Sequence, residues 1–222
     1  MRIFPLGDNA LTVEFGSEIS PETNRKAIAL GNAITGEGFH GLIETLPAYS
    51  GLSVFYDPRE VNRFHPNFDT AFEAVKAIVE RSVENIPLIS QVDSRTVEIP
   101  VSFAETDALD LIEVSNLRGH SPDKFLDIFL GRSYRVYMIG FLPGFAYMGQ
   151  VDERIAAPRK ATPRLAVPKG SVGLAGSQTG IYPTESPGGW QIIGRTSIEM
   201  FDPENDEPCY LQAGDTVRFV RE

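Results

Sequence analysis

The chain has 222 residues, 42% of them apolar and 23% charged, with a formal net charge of −10. That profile suits a soluble globular protein with one or two cores. The negative charge argues against a nucleic-acid or anionic-membrane partner for the molecule as a whole. No apolar run approaches the roughly 18 residues of a membrane span, and the opening MRIFPLGDNAL lacks the apolar segment of a signal peptide. The single cysteine, Cys209, permits no intrachain disulfide. A cytoplasmic location is therefore expected.

Residues 1–15 alternate around Gly7-Asp8-Asn9 and predict a strand pair. Ser20-Pro21 is an N-cap followed by a first-turn proline, opening a helix that Gly36 and Gly38 stop. Residues 41–47 and 51–56 read as strands around a Ser50-Gly51 turn, with Asp57-Pro58 ending the second. Asn67 or Asp69 is placed as the cap of a second helix reaching Ser82, and 95–103 alternates as a strand. Two helices follow, from Asp107 to Leu117 and from Ser121-Pro122 to about Gly131. From Tyr134 onward, short strands between Gly/Pro turns predict a barrel or sandwich. A final hairpin is expected from Pro208–Leu211 and Thr216–Val220 around Ala213-Gly214-Asp215.

Charge is unevenly spread. Residues 1–120 carry 9 Lys/Arg and 18 Asp/Glu; residues 121–222 carry 11 and 12. Between Arg132 and Lys169 stand seven cations and only Asp152 and Glu153 as anions. This is either a solvated basic face or a site for a carboxylate or phosphate, for which arginine offers paired donors. Arg159, Arg164 and Lys169 are the candidate anion ligands, with Arg195 added as a further substrate-binding residue. Gly170 to Gly173 forms either a plain turn or an anion nest. Gln178, Thr179 and Tyr182 bring neutral donors and acceptors suited to an amide. Phe141 and Phe145 flank a Pro-Gly turn and, with Trp190, either wall a groove or pack as core. No Walker A or G-x-S-x-G motif is present. His40, His65 and His120 have no companion at ligand spacing, so no metal site is expected. Cys209 reads as a packed residue rather than a nucleophile.

The stretches GFLPGFAYMG, PRKATPRLAVPKGSVGLAG, QTGIYPTESPGGWQIIGRT and AGDTVRFV, with PLGDNALTVEFG and LPAYSGLSVFYDP before them, resemble the KipI/PxpB family. Its members are the B subunits of an ATP-dependent 5-oxoprolinase, also labelled allophanate hydrolase subunit 1 or carboxyltransferase subdomains C and D. The resemblance implies an α+β protein. An N-terminal α/β sandwich-like domain over 1–90 would precede a cyclophilin-like β-barrel over 91–222. It also implies a KipA/PxpC-like partner, a PxpA-like third component, and ATP for the complex, with no catalytic residue assigned on this chain. Two departures stand out. Phe129 occupies a position where the family usually has histidine, and Phe103 to Leu111 replaces a Gly-rich family stretch. The rival implication of the family name is an inhibitor of a sensor histidine kinase. Barrel shape alone suggests a prolyl isomerase, which is a weak warrant.

Overall fold

The computed structural model describes residues 1–85 and 94–222. The chain divides into two compact units, Met1–Asp93 and Ser94–Glu222. The expected boundary at residue 90 lies outside the described residues.

In the first unit, β1 (Arg2–Pro5) and β2 (Ala10–Glu14) form the expected hairpin. They join β3 (Leu42–Ala48) and β4 (Gly51–Tyr56) in an antiparallel sheet of order β1-β2-β4-β3. Helix α1 (Pro21–Glu37) begins with a reciprocal cap: the Ser20 hydroxyl accepts from Thr23 N, and the Thr23 hydroxyl accepts from Ser20 N. Alternation along β2 and β4 puts Leu11, Val13, Leu52 and Val54 into a core shared with Leu30 and Ile34 of α1.

Asp57-Pro58 does more than end a strand. The Asp57 carboxylate accepts from Arg59 N at 2.8 Å and starts α2 (Pro58–Phe64), because an aspartate before a first-turn proline also satisfies helix-start donors. The next helix, α3 (Ala71–Asn85), begins after Thr70, whose hydroxyl takes Glu73 N at 3.2 Å. Thr70, not Asn67 or Asp69, is its cap.

The second unit contains β5 (Thr96–Val101), α4 (Leu111–Leu117), α5 (Pro122–Leu130) and β6 (Ser133–Ile139). After these come β7 (Ala146–Gly149), β8 (Arg164–Val167), β9 (Ser171–Ala175) and β10 (Gln178–Ile181). The chain ends with β11 (Ser186–Gly188), β12 (Gln191–Arg195) and β13 (Thr216–Arg221). Seven of these strands form one sheet of order β12-β9-β10-β7-β6-β13-β5, and β11 pairs with β8 separately.

The sheet closes nearly into a barrel. Ser102, just beyond β5, exchanges two backbone hydrogen bonds with Arg195 at the end of β12, at 2.8 and 3.0 Å. Closure joins the two edge strands, which would otherwise present unpaired donors and acceptors. Val97, Ile99, Val136, Leu174, Ile193 and Phe219 are among the residues that fill the interior. The architecture is therefore α+β, with a barrel-like second unit.

Two expectations change here. The final hairpin does not form: β13 pairs parallel to β5 and antiparallel to β6, while Cys209 makes a single bridge with Phe201. Pairing with β5 and β6 carries Val217 and Phe219 into the core, which a peripheral hairpin would leave outside. Helix α4 starts at Leu111 rather than Asp107, whose carboxylate accepts from the Ser102 hydroxyl at 2.6 Å within a turn. Phe129 on α5 is fully buried and stacks on Phe219 at 5.0 Å, with Tyr134 donating from its hydroxyl to the Phe129 carbonyl. Among the described residues, no helix is long and apolar enough to cross a membrane.

Candidate functional site

Barrel closure creates a cleft of about 230 Å³ at the seam, lined by Ser102, Asp107, Lys169, Arg195, Thr196 and Glu222 among others. One wall depends on Gly170. Its φ is +83°, its carbonyl accepts from Thr196 N at 2.9 Å, and its N–H donates to the Tyr182 carbonyl at 2.8 Å. A Cβ there would lie 2.1 Å from the Thr196 carbonyl oxygen. Only glycine combines that backbone angle with so close an approach. The loop before β9 and the end of β12 are thereby held together, bringing Lys169 and Arg195 to one cleft. Arg195 is fixed by its Nε–H, which donates to the Lys169 carbonyl at 2.8 Å. The Lys169 ammonium is paired with Glu199.

Most of the basic stretch is committed elsewhere. Asp110, 2% exposed, is the hub. Arg164 forks onto it, with Nη1 to Oδ2 at 2.7 Å and Nη2 to Oδ1 at 2.6 Å. Lys160 Nζ reaches Oδ1 at 2.8 Å, and Ile192 N donates to Oδ2 at 2.7 Å. In return, Asp110 N donates to the Ile192 carbonyl at 2.7 Å. Burial alone would raise the pKa of Asp110, but the Arg164, Lys160 and Ile192 hydrogen bonds outweigh it and hold the carboxyl below its ordinary value. Arg164 is therefore an internal ion-pair partner, not an open anion ligand.

Arg132 and Arg154 converge on Asp152 at 2.7 and 2.9 Å. The Arg154 hydrogen bonds are the main reason that carboxyl lies far below the usual range. Arg135 Nη1 donates to the Gly214 carbonyl. Arg159 is exposed, and its charge acts on the Tyr147 and Tyr182 phenols, both pushed up chiefly by burial.

The expected amide-binding and groove-wall residues are divided. Phe145, Tyr182 and Trp190 are at most 5% exposed and pack with Val167 and Ile192 as a second core. Phe145 is the centre, meeting Tyr182 and Trp190 edge-on at 5.3 and 5.4 Å. Glycines make this packing possible: a Cβ on Gly188 would sit 2.4 Å from the Tyr182 hydroxyl. Thr179 is buried and donates to the Gly173 carbonyl at 3.0 Å. Gln178 is half-buried on β10, in register with Gly149 and Ala175. Phe141 alone of the aromatics named for the groove stays exposed, at 63%, with φ +71° and an edge contact to Phe145.

Of the sequence candidates, then, Lys169 and Arg195 share the cleft. Ser102, Asp107, Asp110 and Thr196 are not among the sequence candidates, although Ser102 lies in the alternating run 95–103, Asp107 and Asp110 lie in the stretch that departs from the family, and Thr196 closes the motif QTGIYPTESPGGWQIIGRT. Their roles arise from pairings between residues far apart in the chain, as in the Asp110–Ile192 and Ser102–Arg195 contacts.

The carboxyltransferase domain family, subdomains C and D, matches residues 1–211. The B subunit of the 5-oxoprolinase of Bacillus subtilis (strain 168) is 44% identical over 99% of this chain and 92% of its own. That of Haemophilus influenzae is 35% identical over the whole chain and 98% of its own. The crystal structure of TTHA0988 superposes with a TM-score of 0.82 at 36% identity, covering 96% of this chain but 40% of that longer one. End-to-end similarity of this extent, in sequence and fold, means that the chain belongs to the carboxyltransferase-domain subdomain C and D family, the KipI/PxpB family.

Proposed function

We propose that this chain is the B subunit of a 5-oxoprolinase and contributes to opening the lactam of 5-oxoproline to glutamate. The observation that carries this reading is the 44% identity, over nearly the full length of both chains, to a curated B subunit of that enzyme. The barrel-seam cleft, with Arg195 and Lys169 on its wall, is its candidate ligand site. A lactam is a resonance-stabilised amide, and ATP supplied to the complex would activate its oxygen so that water can attack the ring carbon. Oriented donors are what such chemistry asks of a protein. On this chain, Arg195 would hold an anionic group of the substrate, and Gly170 keeps the cleft wall in place.

The partners in this reading are a KipA/PxpC-like chain and a PxpA-like third component, in the cytoplasm. The length of the TTHA0988 chain, of which this chain matches 40%, supports a larger functional unit. The test is reconstitution: this chain is co-purified with its candidate PxpC-like partner, the PxpA-like component is added, and ATP-dependent glutamate release from 5-oxoproline is measured. Turnover requiring all three chains is the expected result. A stable pair with no glutamate release in the presence of the third component would overturn the 5-oxoproline assignment.

A further inference from the structure

The seam cleft is small and of mixed charge. At about 230 Å³ it lies below the about 300–1,000 Å³ of sites for drug-sized ligands. Arg195 lines it with its guanidinium already steadied through Nε, and among the described residues neither Nη atom has a partner. A guanidinium anchored on one side and open on the other is a ready fork for a carboxylate. Lys169 contributes less, because Glu199 already neutralises it. Asp107 and Glu222 line the same cleft. The Ser102 hydroxyl donates to Oδ2 of Asp107, and Oδ1 has no hydrogen-bond partner among the described residues.

We infer that this cleft takes a small ligand bearing a carboxylate beside a nitrogen-bound hydrogen, an α-amino acid or its cyclic amide, and that a nucleotide's phosphates are not held there. The carboxylate sits on the Arg195 Nη atoms, and the N–H is directed to Asp107. One open cation and one carboxylate with a vacant oxygen match one anionic group and one N–H donor. A triphosphate would instead set several negative charges against Asp107 and Glu222, with one uncompensated cation to receive them. The inference rests on the 5-oxoprolinase reading, in which 5-oxoproline and glutamate both carry this pair of groups. It divides the labour: this chain holds the amide acid, and the nucleotide lies elsewhere in the complex.

The experiment is an NMR titration of the full chain, observing arginine Nε–H resonances, with 5-oxoproline, glutamate, 2-pyrrolidinone and tripolyphosphate as separate probes. The Arg195 signal, identified by its loss in Arg195→Gln, should shift with both acids. Affinity for 2-pyrrolidinone, which lacks the carboxylate, should be at least tenfold weaker. Arg195→Gln should weaken both acids at least tenfold. The main-chain bonds between Arg195 and Ser102 do not depend on the side chain, and an unchanged melting curve would verify the fold. Asp107→Asn should weaken glutamate, which carries a full ammonium, more than 5-oxoproline.

Tripolyphosphate binding at Arg195 more tightly than either acid would overturn the inference, as would acid binding unchanged in Arg195→Gln. A reconstituted complex whose KM for 5-oxoproline is unaffected by Arg195→Gln would remove the cleft assignment and leave the enzyme reading standing. Acids bound at Arg195, with no turnover in the complete complex, would uphold the cleft and remove the enzyme reading.

Discussion

Replacing Asp110 by alanine tests whether the basic stretch is built for internal pairing. The Asp110 carboxylate accepts four hydrogen bonds, two from Arg164, one from Lys160 and one from Ile192 N. Removing one partner of a buried ion pair costs about 3–5 kcal/mol, because the other is left uncompensated. Here the two cations are 24% and 21% exposed at their side chains, so they can turn partly toward water. That places the loss near the lower bound, about 3 kcal/mol, of which the orphaned Ile192 N–H supplies about 1–3 kcal/mol.

The assay is urea unfolding followed by the fluorescence of Trp190, the only tryptophan, which packs in the second unit. With a slope of about 2 kcal/mol per molar, the midpoint should fall by about 1.5 M. The pH dependence has a defined sign. The carboxyl's pKa is lower in the folded state, so its contribution is fully present above the unfolded value of about 3.9 and is lost as pH falls through the folded value. The gap between the wild-type chain and Asp110→Asn should therefore be constant from about pH 5 to about pH 7 and narrow in stronger acid. A loss in Asp110→Ala below about 1 kcal/mol at neutral pH would refute the reasoning, since that is the value of an exposed pair.

Three further outcomes are expected. Gly170→Ala meets the Thr196 carbonyl at 2.1 Å in a left-handed conformation, and should cost about 3 kcal/mol or more in urea unfolding and abolish ligand shifts at Arg195. Phe129→His puts a polar ring at a fully buried position against Tyr134 and Phe219; the expected loss is about 2–4 kcal/mol, and glutamate release by the complex should not rise. Ser20→Ala removes the α1 cap and should cost about 1 kcal/mol, read as faster amide hydrogen exchange in the first turn of α1, with the Trp190 transition unmoved.

Local signals in the chain were sufficient where a residue's role depends on its near neighbours. Ser20-Pro21 and Ser121-Pro122 each start a helix through a side-chain hydroxyl and a proline at the first position. The alternation of Leu11-Thr12-Val13 and Leu52-Ser53-Val54 directs one face of each strand to a core. Even Asp57-Pro58, read only as a strand end, is a local start signal for α2.

The family is legible in long motifs, and Gly/Pro spacing after Tyr134 already argued for short strands. What the chain order could not reveal was which charges face which. The same excess of cations between Arg132 and Lys169 serves an open anion site or a set of buried pairs. The choice depends on Asp110, far before Arg164 in the chain, arriving beside it when α4 packs near β12.

Tertiary structure also decided that Phe145, Tyr182 and Trp190 form a core, because close glycine approaches let three rings meet edge to edge. It decided that β13 lies beside β5 instead of folding into a hairpin. And it decided that Ser102 meets Arg195: barrel closure is a property of seven strands together, and the cleft exists only where the last two edges join.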